Sequence, residues 1–112
     1  MGIYTQVFRK KDLEWVSKNI NDKAVQEHVS LYFYENPEKY KILNLVAPKS
    51  YAYPEWRLQL DYPEDLKLLN EIYKHLEKDY GESFLLKEIC NLINKNKHLL
   101  EINSHCIEKT PR

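Results

Sequence analysis

The apolar stretch between Pro63 and Gly81 constrains the fold of this chain more than any other segment. Apolar residues recur there at intervals of three and four, at positions 66, 69, 72, 73 and 76. Proline is common in the first turn of a helix and glycine directly after its last turn, so the stretch predicts one long helix. Because such a helix has a single apolar face, it must pack against another part of the chain.

Length and charge narrow the class of protein. A chain of 112 residues suffices for one domain, and we expect residues 1–112 to form a single domain. Its 17 basic and 17 acidic residues balance, so no net charge attracts it to nucleic acid or to an anionic membrane. No apolar run approaches the roughly 20 residues that span a bilayer, and the first residues lack the pattern of a signal peptide. With two cysteines, a reducing cytoplasm is the expected location.

The remaining segments predict a mixed α/β fold. Residues 3–8, 40–46 and 56–60 are rich in β-branched or aromatic residues or alternate apolar with polar ones, which predicts three short strands. Further helices are predicted after the possible caps Asp12, Asp22 and Ser83, with a short helical turn at residues 99–102. The expected total is about three strands and four to five helices.

The most informative chemical feature is the predicted strand-to-helix junction at residues 57–66. It presents Asp61 at the carboxyl end of the strand, where α/β sheets bind ligands, with Arg57 and Gln59 on the same face. A carboxylate in that place suits Mg²⁺, which takes one or two carboxylates together with substrate phosphates. The alternative is that Asp61 caps the following helix, with Glu64 completing a capping box.

Other candidate residues give weaker signals. Glu27 and His28 are adjacent in a predicted helix, which is typical of a surface or hydrogen-bonded histidine as much as of a site. The aromatic residues at positions 51–56 either cover an edge of the core or stack on a ligand. The cysteines and histidines do not have the spacing of a zinc site, and Cys90 is expected in the core. These are positions 90, 98, 105 and 106.

Three blocks in order resemble a known family. Residues 2–8, 26–32 and 57–66, together with the ending at residues 102–105, are similar to the carboxyl-terminal half of the cytidylyltransferases. That family includes spore coat polysaccharide biosynthesis enzymes and acylneuraminate cytidylyltransferases, which are CMP-sugar synthetases. The resemblance covers nearly the whole chain, and its third block is the most specific.

The resemblance implies a partial Rossmann-like nucleotidyltransferase fold (α/β/α), usually dimeric. It implies transfer of a cytidylyl group from CTP to a sugar with Mg²⁺. Asp61 matches the family's carboxyl-terminal metal-binding aspartate. Glu27, His28 and Ser30 match a second family block, which implies contact with the sugar or with a partner subunit, and Arg57 and Gln59 are expected on the substrate side.

The departures from the family set the expected function. The family's nucleotide-binding loop and its second metal-binding aspartate lie in an amino-terminal half, and this chain begins where that half ends. We therefore expect the chain to be inactive alone, to bind Mg²⁺ weakly and only with nucleotide, and to act with an amino-terminal CTP-binding half or as a homo-oligomer. The alternative is a non-catalytic interaction module that retains the fold. Tyr62 replaces a threonine that would cap the helix, which favours Asp61 as the cap instead.

Overall fold

The structure, a computed structural model, describes residues 3–111. They form helical segments connected by turns and irregular segments. The described residues divide into two compact units. The carboxyl-terminal unit contains residues 3–4 and 47–107, and the amino-terminal unit contains residues 5–46 and 108–111. That the chain acts as one domain stays a prediction.

The amino-terminal unit contains three short helices, α1 (Lys10–Asn19), α2 (Lys23–Glu27) and α3 (Leu31–Glu35). They bury a small core in which the rings of Phe33 and Tyr40 lie 4.7 Å apart, edge to face. Its buried residues are Val16, Val25, Tyr32 and Phe33.

The caps of these helices differ in part from those predicted. Asp22 caps α2 as expected, since its carboxylate accepts hydrogen bonds from the backbone N–H groups of Ala24 (2.9 Å) and Val25 (3.3 Å). Asp12 does not cap α1, because the helix begins before it and Asp12 lies in the first turn. The single helix predicted after Asp22 is interrupted at residues 28–30 and resumes as α3.

The carboxyl-terminal unit is built around the long helix α4 (Pro63–Tyr80), with α5 (Leu86–Lys95) and two 3₁₀ helices, Lys49–Tyr51 and Lys97–Asn103. Gly81 ends α4 with a positive φ of 59°, a conformation that residues with a side chain rarely adopt. The N-cap of α5 is Leu85, whose backbone N–H donates a hydrogen bond to the Glu88 carboxylate, so Ser83 is not its cap. The core of this unit consists of Trp56, Leu68, Ile72, Leu76, Cys90, Ile93 and Leu99.

The predicted α/β fold is wrong: no strand occurs among residues 3–111. The three segments predicted as strands have no regular secondary structure. Tyr40 and Trp56, the first residues of two of them, donate backbone hydrogen bonds only to nearby turns, and no backbone–backbone hydrogen bond within the described chain reaches residues 3–8, 41–47 or 57–60. Alternation of apolar and polar residues is compatible with a strand, but a strand also needs a neighbouring backbone with which to pair. Here that neighbour is absent among the described residues, and the partial Rossmann-like fold is not present.

Only helices that are both long and apolar can cross a bilayer. None of those within residues 3–111 combines the length and the apolar character that a membrane span requires.

Candidate functional site

A buried ion pair joins Arg57, which precedes helix α4, to Asp65 in the first turn of that helix. The Arg57 guanidinium donates two hydrogen bonds to the Asp65 carboxylate, from Nε to Oδ1 and from Nη2 to Oδ2, both at 2.8 Å. The Asp65 side chain has 0% exposure and that of Arg57 has 13%. A two-point contact of this kind fixes the orientation of both groups. Arg57, Asp61, Asp65 and Asn103 are called the Arg57 network below.

Asp65 receives further hydrogen bonds that satisfy its buried carboxylate. The backbone N–H groups of Asp61 (2.9 Å) and Tyr62 (3.0 Å) donate to Oδ2, and the Asn103 amide donates to Oδ1 at 2.8 Å. Hydrogen bonding by Arg57 holds the pKa of Asp65 well below its usual range, against the opposing effect of burial. Asp65 is therefore ionised, and its carboxylate holds Arg57, Asn103 and the start of α4 together.

Asn103 connects the Arg57 network to the second 3₁₀ helix. Its side-chain amide also donates to the backbone carbonyl of Arg57 at 3.0 Å, and the residue is 2% exposed. Asn103 is the last residue of the second 3₁₀ helix. This amide therefore holds that helix against both residue 57 and the start of α4.

Asp61 lies at the exposed edge of the network. Its Oδ2 accepts hydrogen bonds from Arg57 Nη2 at 3.1 Å and from Gln59 Nε2 at 2.8 Å, and its side chain is 46% exposed. Since both donors meet Oδ2, a ligand can approach Oδ1 without displacing either of them. The structure thus brings together Arg57, Gln59 and Asp61.

Asp61 is not the cap of α4. The N-cap residue is Tyr62, and its backbone N–H is accepted by Asp65, the third residue of the helix. The capping-box role proposed for Glu64 therefore belongs to Asp65. Asp61 therefore does not cap the helix, although Tyr62 in place of a threonine predicts that it would.

Glu27, His28 and Ser30 lie in the amino-terminal unit, at the turn between α2 and α3. Glu27 Oε1 and His28 Nε2 are 3.9 Å apart, and both side chains are largely exposed. Ser30 precedes α3 without a side-chain capping hydrogen bond. Their predicted contact with a sugar or a partner subunit stays a prediction.

The aromatic stretch at residues 51–56 packs mainly on the core. Trp56 is buried, and the Tyr53 ring stacks on it with a centroid distance of 3.8 Å and an angle of 5°. The Tyr53 hydroxyl accepts a hydrogen bond from Asn94 at 2.8 Å. Of the two interpretations of this stretch, covering a core edge is the one that the structure supports.

Sequence reasoning missed Asp65 and Asn103. Asp65 looked like one of several acidic residues in the first turn of a helix, and Asn103 is 38 residues away from it in the chain. The one available signal was position 65 itself, three residues before Leu68 and seven before Ile72, which places a carboxylate on the buried face of α4.

The fit of Mg²⁺ to Asp61 is limited to a single carboxylate. Asp65, the neighbouring carboxylate, is buried and its oxygens are already engaged by Arg57, Asn103 and backbone donors. A Mg²⁺ ion at Asp61 therefore needs most of its oxygen ligands from nucleotide phosphates and water.

Comparison with known proteins finds two longer relatives. The chain is 32% identical over all its 112 residues to the uncharacterized protein MJ1063 of Methanocaldococcus jannaschii, and covers 45% of it. Over 71 residues it is 32% identical to the spore coat polysaccharide biosynthesis protein SpsF of Bacillus subtilis, a match that covers 63% of the chain and 29% of SpsF. The chain thus spans less than half the length of these curated relatives. No family model and no solved structure match it.

Proposed function

We propose that this chain contributes to the synthesis of nucleotide-activated sugars for polysaccharides, as the carboxyl-terminal portion of a cytidylyltransferase-like protein. In this role Asp61 supplies one carboxylate to a nucleotide-bound Mg²⁺, and Arg57 and Gln59 position it. The observation that carries the proposal is the exposed Asp61 carboxylate, fixed through one oxygen by those two residues. The partial similarity to SpsF supports the class of pathway.

The Arg57 network explains how one carboxylate can be positioned without a sheet. Arg57 Nη2 donates a hydrogen bond of 2.8 Å to Asp65 Oδ2, which orients the guanidinium, and the same nitrogen donates to Asp61 Oδ2. Positioning of this kind is what phosphoryl and nucleotidyl transfer require, because their catalysis depends on orientation and neutralisation of charge. A single carboxylate does not provide the whole site, so a nucleotide-binding partner is part of the proposal.

Exposed apolar residues in an irregular segment support the existence of such a partner. Leu43, Leu45 and Val46 are each at least 80% exposed. Residues 41–47 also make no backbone–backbone hydrogen bond within the described chain. A segment without such hydrogen bonds is available to pair with a second chain, which would cover these side chains as well.

The first test is binding of CTP by the chain alone. With one carboxylate, we expect isothermal titration calorimetry with CTP and Mg²⁺ to detect no complex in the micromolar range. The physical reason is that the phosphates of the nucleotide need several positioned donors or cations, which one aspartate cannot replace. Micromolar binding by the isolated chain would contradict the proposal that a nucleotide-binding partner is required.

The second test is reconstitution. The chain is co-expressed with the part of the Methanocaldococcus relative that it does not match, and pyrophosphate release from CTP is measured with Mg²⁺ and a panel of acidic sugars. We expect release only when both parts are present, and its loss in Asp61→Asn but not in the control Asp79→Asn, an exposed aspartate at the far end of α4. Equal rates in the two variants would remove Asp61 from the proposal.

The second candidate function is a non-catalytic interaction module, which the exposed apolar segment also favours. It predicts that the two parts associate without any pyrophosphate release. The reconstitution experiment separates the candidates, because analytical ultracentrifugation of the same sample reports association independently of turnover.

A further inference from the structure

Three potential metal ligands of different chemistry meet beside the first turn of α4. They are the carboxylate of Glu64, the imidazole of His105 and the thiol of Cys106, and their ligand atoms all lie within 4.8 Å of one another. His105 Nε2 is 3.5 Å from Glu64 Oε1, and Cys106 Sγ is 4.0 Å from Glu64 Oε2. Residues 105 and 106 follow the second 3₁₀ helix, 41 and 42 residues away from Glu64 in sequence.

Two of the three separations between these atoms are close to those of a tetrahedral metal site, and the third, between His105 and Cys106, is within 4.8 Å. Zinc bonds of about 2.0–2.3 Å place neighbouring ligand atoms roughly 3.3–3.8 Å apart. The 3.5 Å contact lies in that range, and the 4.0 Å contact lies just outside it. The side chains of His105 and Glu64 are 65% and 41% exposed, so both can rotate by the small amount that an ion requires.

The donor set indicates the class of ion. A thiolate and an imidazole favour zinc and similar transition-metal ions, whereas Mg²⁺ prefers oxygen ligands throughout. Three protein ligands leave one tetrahedral position for water or a substrate atom. The carboxylates of Asp61 and Asp65 lie in the neighbouring Arg57 network and add negative charge to this end of α4, which favours a cation there.

We propose that Glu64, His105 and Cys106 form a binding site for Zn²⁺ or a similar transition-metal ion. Binding displaces the proton of the Cys106 thiol to solvent and leaves a metal–thiolate bond. Without an ion, burial and the Glu64 carboxylate raise the pKa of the Cys106 thiol. A divalent cation between the two groups reverses the effect of that carboxylate.

The ion would tie the end of the carboxyl-terminal unit to α4. The same segment is already held by a hydrogen bond of 3.1 Å from the Tyr62 hydroxyl to the backbone carbonyl of Ile107. Cys106 also lines a surface cavity together with Arg57, Asn103 and Ser104. The site is independent of the proposed Mg²⁺ role of Asp61.

Titration of the full chain with Co²⁺ tests the site, because cobalt bound to a thiolate gives a charge-transfer absorption that oxygen and nitrogen ligands do not give. We expect this absorption in the wild-type protein and its loss on addition of Zn²⁺. Cys106→Ala should abolish it, while Cys90→Ala, which removes the buried thiol of α5, should leave it. Circular dichroism of each variant confirms that it is folded.

The other ligands have matched controls. We expect His105→Ala and Glu64→Gln to weaken Co²⁺ binding at least about tenfold, since even outer-shell partners of a metal contribute that much. His98→Ala and Asp79→Asn, which change exposed residues away from the cluster, should leave binding within about twofold of wild type.

Alkylation of Cys106 in the wild-type chain is a second readout, which is needed if the Cys106→Ala variant does not fold. In the wild-type chain, Zn²⁺ should slow alkylation of Cys106, as mapped by mass spectrometry, and Mg²⁺ should not. The proposal is overturned by an absent charge-transfer absorption in the wild type, by its persistence in Cys106→Ala, or by equal protection with Mg²⁺. It is equally overturned if His98→Ala and His105→Ala weaken binding alike.

Discussion

Asp65 illustrates at the scale of one residue how a buried charge organises its surroundings. Its carboxylate accepts hydrogen bonds from Arg57, Asn103 and the backbone of residues 61 and 62. Removing one partner of a buried ion pair leaves the other without compensation, which costs more than the pair itself contributes. Asp61, half exposed on the same guanidinium, is the natural comparison.

Asp65→Asn is expected to lower the free energy of unfolding by about 3 to 5 kcal/mol at pH 7, because Arg57 then lacks its buried counter-ion. Asp61→Asn should lower it by no more than about 1 kcal/mol, since exposed ion pairs contribute little. Urea denaturation of the two variants and the wild type measures both effects. Equal losses in the two variants would contradict the central role of Asp65.

The pH dependence of stability follows from the direction of the Asp65 pKa shift. Its pKa is lowered in the folded state, so its contribution is complete above the pKa of about 4 that an unfolded aspartate has. The contribution is then lost progressively as the pH falls below that value. We expect the difference in unfolding free energy between wild type and Asp65→Asn to be constant from pH 7 to 5 and to shrink towards pH 2. A difference that grows on acidification would contradict this sign.

At the scale of elements, caps and faces were predicted unequally well. The bounds of α4 follow Pro63 and Gly81 as expected, but its buried face carries Asp65, Leu68, Ile72 and Leu76. Leu66, expected on that face, is 48% exposed. Ile72 and Leu76 lie on the buried face as expected. The apolar pattern missed Asp65 there because it excluded a charged residue from the interior.

The two predicted aspartate caps provide a matched pair. Asp22→Ala should lower the free energy of unfolding by about 1 kcal/mol, because it removes an acceptor for the N–H groups of Ala24 and Val25. Asp12→Ala should lower it by less than about 0.5 kcal/mol, since Asp12 lies within the first turn of α1, where an acidic side chain gains only a modest interaction with the helix dipole. Urea denaturation followed by tryptophan fluorescence distinguishes them. A larger effect at Asp12 would contradict the observed start of α1.

At the scale of the whole molecule, exposed apolar segments coexist with two small cores. Buried residues such as Leu68 and Ile93 have no exposure, whereas the apolar side chains of residues 43–46 are almost entirely exposed. Exposed apolar residues in a segment without backbone hydrogen bonds favour association, either with a partner or with a second copy.

We expect the wild-type chain to associate at high micromolar concentration, with a mass above 13.5 kDa by light scattering. The double variant Leu43→Ser, Leu45→Ser should shift towards the monomer, because it removes the exposed apolar side chains that association would cover. Its free energy of unfolding at low concentration should change by about 0.5 kcal/mol or less, as for other exposed positions.

The control for this experiment is Leu68→Ala, which should cost about 2 to 5 kcal/mol without a comparable change in the association constant, because it removes contacts in the core. A wild-type chain that stays monomeric throughout would contradict the role assigned to residues 43–46.

The sequence by itself determined the helices whose signals are local. Pro63, Gly81 and Asp22 act through the backbone conformation and the hydrogen bonds of their immediate neighbours, so their positions were predictable from the chain. The sequence also identified Asp61, which is half exposed and accepts hydrogen bonds from Arg57 and Gln59. Its function stays a prediction.

Only the tertiary structure decided what depends on distant residues. Whether residues 3–8, 40–46 and 56–60 become strands depends on a pairing partner, which the sequence pattern does not contain. The burial of Asp65 depends on Arg57 and Asn103, and the cluster of Glu64 with His105 and Cys106 depends on the return of the chain to the start of α4. Local signals specify where a helix begins and ends, whereas contacts between distant residues specify which charges are buried and which ligands meet.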